Sequence, residues 1–196
     1  KLDTILVFPS AVAYPGFEVD KRVVIIGTGW EAPSKYSNYT RINGSVNFEN
    51  GSENSKIVGF EIGNFSSGYY GLRSVNLNTS YIEISRNKLL DGIKFKEDVK
   101  NIKIFQNIIE YFTISYGYFY VSYVDHNILL YGNNEAIVAN NLFFDGDEHV
   151  AFYKDVNGDN SMLILNNNNF ISGNCYLENA NLEFYNNALI NSSVSS

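Results

Sequence analysis

The chain has 196 residues, a net charge of −7 at pH 7 and 45% hydrophobic residues, which is enough apolar content for a sizeable buried core. The acidic balance argues against a nucleic-acid partner, because sequence-independent binding to phosphates needs clustered lysine and arginine. No stretch approaches the roughly 18 apolar residues of a membrane-spanning helix, so we expect no membrane span.

The composition predicts an all-β fold. The chain contains 28 asparagines and 29 tyrosine plus phenylalanine residues, but only three prolines. Aromatic and β-branched residues favour strands, and abundant asparagine and glycine favour turns. The single cysteine, Cys175, excludes an internal disulfide.

The N-terminal part, residues 1–55, is predicted to contain less regular strands. Residues 1–30 supply the first of them, and "WEAPSKYSNYTRINGS" at 30–45 is predicted to be a polar, turn-rich excursion. The chain is expected to return to strand in "VNFENGSENSKIVGFEI" and to become regular from residue 56 to residue 196.

A repeat occupies this regular part. Its template is apolar, any residue, apolar, two residues, Asn, any residue, apolar. Six stretches match it: Ile82/Ile84/Asn87/Leu89, Ile102/Ile104/Asn107/Ile109, Val124/Asn127/Leu129, Val138/Asn141/Phe143, Leu163/Leu165/Asn168/Phe170 and Leu182/Phe184/Asn187/Leu189. Successive asparagines are 20, 20, 14, 27 and 19 residues apart, so one unit is shortened and one carries an insertion. Such a period is typical of a solenoid.

Each unit is interpreted as a strand, a corner and a second strand. The alternation before the asparagine predicts a strand with one buried face, and the asparagine is expected to make the corner because it tolerates a left-handed backbone. Stacked strands lie roughly 4.8 Å apart, so the amides can bond in a ladder. One column is predicted for Asn87, Asn107, Asn127, Asn141, Asn168 and Asn187, and another, inside, for Ile84, Ile104, Val124, Val138, Leu165 and Phe184. Glu83 and Lys103 are expected to form an exposed ion pair.

A third strand is expected after each corner, in "DGIKF" at 91, "FTI" at 112, "HVAF" at 149 and "CYL" at 175. Three short parallel strands per coil describe a single-stranded right-handed parallel β-helix with an asparagine ladder. Because such a solenoid grows by stacking, residues 1–196 are predicted to form one domain.

These units, together with the opening "DTILVFPSAVAYPGFEVDKRVVIIGTGW", resemble the pectate-lyase-like superfamily of secreted carbohydrate-active proteins. The resemblance implies an extracellular or cell-surface location and a polysaccharide partner. It does not specify an activity, because lyases, hydrolases, epimerases, adhesins and phage tailspikes share this scaffold.

An acidic cluster is the first candidate for catalysis. Asp145, Asp147, Glu148 and His149 lie in "FDGDEHVAF", which is similar to the "GDD" segment of polygalacturonases, where carboxylates act as acid and base. The other motifs of that family are missing. A solvated acidic turn is the favoured interpretation.

Calcium is the cofactor that the sequence suggests. In pectate lyases calcium is held by carboxylates of neighbouring coils beside a basic residue; the matching candidates here are Asp91 and Asp145 as ligands, with Lys94 and Arg73 as bases. The coil between the two acids carries "YGNN" and no column of carboxylates is continuous, so the absence of a lyase site is the favoured interpretation. A second candidate is "DVNGDN", with Asp155, Asn157 and Asp159 at alternate positions. It lacks the glycine and the final acid of a calcium loop, so a tight turn is favoured.

An aromatic run, "EYFTISYGYFYVSY", is the candidate glycan-binding site. Tyr116, Tyr118, Tyr120 and Tyr123 are predicted to lie outside the core, where tyrosine rings can stack against sugars. A hydrophobic loop folded onto the flank of the solenoid explains the run equally well.

Three classes of function follow. The favoured one is a glycan-binding or adhesive module of a larger extracellular protein. The alternatives are a lyase or hydrolase acting on acidic polysaccharide, and a structural spacer. Residues 155–196 contain no lysine or arginine to discourage edge pairing, so a flanking domain or partner chain is expected to cover the C-terminal coil.

Overall fold

A computed structural model describes residues 3–29, 39–64, 74–96, 99–110, 126–131, 135–144, 148–153, 162–171, 174–177, 181–190 and 193–195. All regular elements among these residues are β-strands, numbered β1 to β22 in chain order. Their pairings are parallel. One of the two sheets is strongly curled.

The strands stack in three ladders. Ladder A contains β1 (Asp3–Leu6), β3 (Val23–Ile26), β5 (Lys56–Val58), β8 (Glu83–Ser85), β11 (Ile102–Phe105), β14 (Glu135–Ala139), β17 (Met162–Asn166) and β20 (Asn181–Tyr185). Ladder B contains β6 (Glu61–Gly63), β9 (Lys88–Leu89), β12 (Ile108–Glu110), β15 (Leu142–Phe144), β18 (Asn169–Ile171) and β21 (Ala188–Ile190). Ladder C contains β7 (Val75–Leu77), β10 (Ile93–Phe95), β13 (His126–Tyr131), β16 (Glu148–Tyr153), β19 (Asn174–Leu177) and β22 (Ser193–Ser195).

Ladders B and C belong to one sheet because β4 (Arg41–Phe48) is long enough to pair with both. Its first part pairs with β6 and its last part pairs with β7, while β2 (Tyr14–Val19) pairs along its other edge. From β5 onward the chain passes through ladders A, B and C in turn, so each group of three strands, here called a unit, stacks on the previous one.

The predicted third strands at "DGIKF", "HVAF" and "CYL" are confirmed as β10, β16 and β19. The assignment of Asn127 to a corner is wrong, because it lies within β13 of ladder C, where Ile128 is in register with Ile93. The described third strand of that unit is therefore β13, and the predicted strand "FTI" at 112 lies outside the described residues. Residues 111–125, with Val124 among them, lie outside the described residues.

The predicted excursion at 30–45 is wrong for its last part. Residues 30–38 lie outside the described residues, but β4 begins at Arg41, and its Ile42, Val46 and Phe48 are buried. Gly44 and Ser45 look like a turn in the sequence. Here they form the junction between the two ladders, and Gly44 has a φ of 127° that suits glycine.

The core consists of apolar columns that run along the stack. In ladder A the predicted inner column is confirmed without Val124: Ile84, Ile104, Val138 and Leu165 are buried and in register, with Phe184 partly buried at the end. In ladder B the column includes Leu89, Ile109, Phe143 and Phe170. Each unit therefore buries its apolar face against its neighbours.

At the corner between ladders A and B, five asparagines are hydrogen-bonded one to the next along the stack. They are Asn87, Asn107, Asn141, Asn168 and Asn187. Each Oδ1 accepts from the backbone N–H at the corner of the preceding unit, at 2.8–3.0 Å. Each Nδ2 donates to a carbonyl oxygen of the preceding ladder A strand, at 2.8–3.1 Å. Buried polar groups at the corner are thereby satisfied.

The left-handed backbone is not at these asparagines, so the predicted reason for their position is wrong. It is at the residue before each one: Arg86, Gln106, Asn140, Asn167 and Asn186, with φ between 54° and 58°. The corner asparagine is instead selected by its amide, which accepts and donates along the stack.

Glycine is required where the turn after β3 lies against the first unit. Gly59 has a φ of 80° at the corner of its unit, and the backbone of Gly27 lies directly against it. A Cβ at Gly27 would clash with the carbonyl oxygen of Gly59, which also accepts from the N–H of Gly29.

Replacing Gly27 by alanine is therefore expected to lower the free energy of unfolding by about 1–3 kcal/mol, because two backbones must separate. Urea unfolding followed by circular dichroism measures this change. An unchanged midpoint would contradict the close approach.

Candidate functional site

Most of the candidate residues lie outside the described residues. These are Arg73, Tyr116, Tyr118, Tyr120, Tyr123, Asp145, Asp147, Asp155, Asn157 and Asp159. The backbone of Glu148 and His149 forms the start of β16, in ladder C. The predictions for all twelve residues stay predictions. The two remaining candidates, Asp91 and Lys94, have side chains that the structure describes.

The carboxylate of Asp91 is used within the fold. Its Oδ2 accepts a hydrogen bond from the backbone N–H of Asn64 at 2.6 Å, and its own N–H donates to the hydroxyl of Ser74 at 2.9 Å. Ser74 in turn donates to the carbonyl of Ile62. These bonds connect two units at their turns, so the geometry gives Asp91 a structural role.

Lys94 is exposed on the outer face of β10, in register with Asn76 of β7. Within the part of the chain that the structure describes, no three His, Cys, Asp or Glu side chains are close enough to hold a metal ion.

Lysine and glutamate do meet on the outer face of ladder A, but not as predicted. Glu83 lies in register with both Lys56 and Lys103, its neighbours in the two adjacent strands. The predicted position of Glu83 beside Lys103 is therefore confirmed, but the Glu83 carboxylate pairs with Lys56 at 2.8 Å, so the predicted ion pair with Lys103 is wrong. Among the described residues Lys103 takes part in no ion pair, and its side chain is exposed.

Tyr81 is a candidate site residue that the sequence pattern did not reveal. It lies two residues before Glu83, just as Asn54 precedes Lys56 and Asn101 precedes Lys103. All three are left-handed, with φ of 64° at Asn54, 63° at Tyr81 and 56° at Asn101. This is a second corner, before ladder A. An alignment of the units at this position would have shown a tyrosine between two asparagines.

The backbone of Tyr81 is fixed on both sides. Its carbonyl accepts from the N–H of Asn54 at 2.9 Å, and its N–H donates to the carbonyl of Lys100 at 2.9 Å. Tyr81 is 52% exposed, so burial of its ring offsets only part of the strain. A bulky residue in this conformation costs about 1 kcal/mol or more, whereas asparagine tolerates it.

Charges of opposite sign lie on the two sides of Tyr81. On the side of the following unit are Lys100 and Lys103, both exposed. On the other side is Glu53, whose pKa is lowered mainly by the hydrogen bond from the Thr79 hydroxyl and further by backbone N–H groups. We call Tyr81, Lys100, Asn101 and Lys103 the Tyr81 surface.

Comparisons with protein-family models, curated proteins and solved structures found no significant match. The described residues include no helix of the length and apolarity needed to cross a membrane. The Tyr81 surface is the candidate functional site.

Proposed function

We propose that this chain is a right-handed parallel β-helix of the pectate-lyase-like type that binds polysaccharide as an extracellular or cell-surface module. The observation that carries the binding function is Tyr81, an exposed aromatic ring in a strained position that asparagine occupies in the adjacent units.

Two observations support the β-helix. The strands return to ladders A, B and C in the same order in every unit, and five corner asparagines are hydrogen-bonded along the stack. The right-handed sense follows from a general rule, because crossovers between parallel strands of one sheet are right-handed in about 98% of cases.

Glycan binding is supported by the exposed aromatic side chains on this scaffold. Besides Tyr81, the rings of Tyr14 and Tyr185 are 36% and 43% exposed. A tyrosine ring offers an apolar face for the C–H groups of a sugar and a hydroxyl for its oxygen atoms. Among the described candidates for a lyase site, the carboxylate of Asp91 is already hydrogen-bonded within the fold, so Asp91 does not favour catalysis.

A larger assembly is also part of the proposal. The inner columns end in exposed apolar side chains, with Ile5 46% exposed at one end of the stack and Leu189 40% exposed at the other. Open ends of a solenoid also expose unpaired backbone N–H and C=O groups. A flanking domain or a partner chain that covers an end would bury its apolar side chains and pair these backbone groups.

An array of immobilised polysaccharides tests the proposed function. The folded chain is expected to bind at least one of them, and soluble oligosaccharide of the same type should displace it, while heat-unfolded chain should not bind. The ultraviolet absorbance of each bound polysaccharide is followed in parallel, because the unsaturated products of a lyase absorb in this range. Binding to none of the polysaccharides would refute the proposal, and a steady rise in absorbance would replace the binding module with a lyase.

A further inference from the structure

We infer that the Tyr81 surface is a subsite for a sugar unit carrying a negatively charged group, with the ring stacked on Tyr81 and the anion bound by Lys103. The inference rests on the proposed polysaccharide binding, and it adds a location and a charge to that function.

The strain at Tyr81 is the first argument. The hydrogen bonds to Asn54 and Lys100 impose the left-handed backbone whichever residue is present, and Asn54 and Asn101 adopt it at low cost. Tyrosine has a higher conformational energy than asparagine in this backbone conformation, and only about half of its surface is buried. Arg86 and Gln106 are also left-handed at the other corner, so Tyr81 is distinguished by combining this backbone with an exposed aromatic ring, which is held in a preset position for a ligand.

The unpaired lysine is the second argument. Glu83 lies between Lys56 and Lys103 but binds Lys56 at 2.8 Å, which leaves Lys103 without an ion pair among the described residues. An exposed ammonium group of this kind can bind a carboxylate or a sulfate. Glu53 is on the opposite side of Tyr81, so an anionic group is directed toward Lys103.

The spacing is the third argument. Tyr81 is adjacent to Lys100 and Asn101 across the stack, and Lys103 follows Asn101 by two residues. Two residues at about 3.3 Å and one strand spacing of about 4.8 Å put the Cα atoms of Tyr81 and Lys103 on the order of 8 Å apart. A single sugar ring with its charged substituent can contact both side chains.

Affinity measurements with alginate, dextran sulfate and uncharged dextran test the inference, since the first two distinguish carboxylate from sulfate. Tyr81→Asn is expected to weaken binding of at least one charged polymer about tenfold, and Lys103→Gln to weaken it about threefold or more. Lys96→Gln, at an exposed lysine that follows β10 of ladder C, is the matched control for Lys103→Gln and should change affinity less than about twofold.

Thermal unfolding of Tyr81→Asn separates a binding role from a structural one. Because the substitution restores the residue of the adjacent units, the midpoint should rise by about 2–4 °C, the shift expected for about 1 kcal/mol in a chain of this size. A lower midpoint would mean that Tyr81 stabilises the fold and would overturn the inference.

Failure of the inference and failure of the proposed function give different results. If the array detects binding but Tyr81→Asn retains full affinity, or uncharged dextran binds as well as both charged polymers, the inference is overturned and the proposed function stands. If the chain binds nothing on the array and none of the three polymers, both are overturned.

Discussion

Replacing Asn168 by alanine is expected to lower the free energy of unfolding by about 2–6 kcal/mol, because it removes the acceptor of one buried group and the donor to another. The Oδ1 of Asn168 accepts from the backbone N–H of Asn141 at 3.0 Å, and its Nδ2 donates to the carbonyl of Val138 at 2.8 Å. Asn168 is only 1% exposed, so water cannot replace these partners. Urea unfolding followed by circular dichroism measures the loss.

The adjacent residue provides the control. Asn169 is exposed in β18, so Asn169→Ala should change the stability by less than about 0.5 kcal/mol. Asn168→Asp keeps the shape but cannot donate to Val138, and it should also destabilise strongly at neutral pH. Equal stability of the variants at positions 168 and 169 would show that the corner hydrogen bonds contribute nothing.

Replacing Phe170 by alanine is expected to cost about 3–5 kcal/mol, the usual range for removing a buried aromatic ring. Phe170 is fully buried in ladder B, and its ring stacks on that of Phe143 with centroids 4.8 Å apart. On the other side it faces Phe184 at 6.2 Å. Because three units contribute to this stack, the cavity cannot be closed by one side chain alone.

Tyr185→Ala is the comparison for this core substitution. Tyr185 is an aromatic of similar size that is 43% exposed, so its removal should cost clearly less, about 1 kcal/mol. Chemical unfolding of both variants measures the two losses in the free energy of unfolding. A cost at Phe170 as small as at Tyr185 would mean that the ring stack does not stabilise the core.

Local spacing explains why much of the fold was predictable. The alternation of Ile82 and Ile84 before Asn87, with Leu89 after it, is a signal carried by eight consecutive residues, and it needs no knowledge of distant contacts. The inner column and the hydrogen-bonded corner asparagines follow from it wherever the period holds. Asn127 matched the template by chance, because the sequence around this ladder C strand has apolar residues at the same spacing.

The error at Asn127 came from loop length. The hydrogen-bonded corner residues Asn107 and Asn141 are 34 residues apart, well beyond the usual period of about twenty. Loop insertion costs little free energy, so the period of a solenoid does not constrain it. Only the pairing of β13 with β10 and β16 distinguishes a corner from a strand here.

The candidate site was much less predictable than the fold. Asp91 was proposed as a calcium ligand from its position at a turn, yet its carboxylate is engaged by the N–H of Asn64. Such a bond joins residues 27 positions apart, so no local pattern reveals it. Tyr81 was missed for a related reason, because its strain is a property of backbone angles that adjacent units impose.

By itself, then, the sequence determined the all-β class, the stacking of similar units and the core residues on either side of each hydrogen-bonded corner asparagine, since alternation and corner spacing are encoded within each unit. Tertiary structure alone decided which residue at each corner is left-handed, which of two lysines Glu83 binds, and that Tyr81 is held exposed between Asn54 and Lys100. The physical reason is that these features depend on contacts between units, where several partners lie within reach and geometry selects one of them.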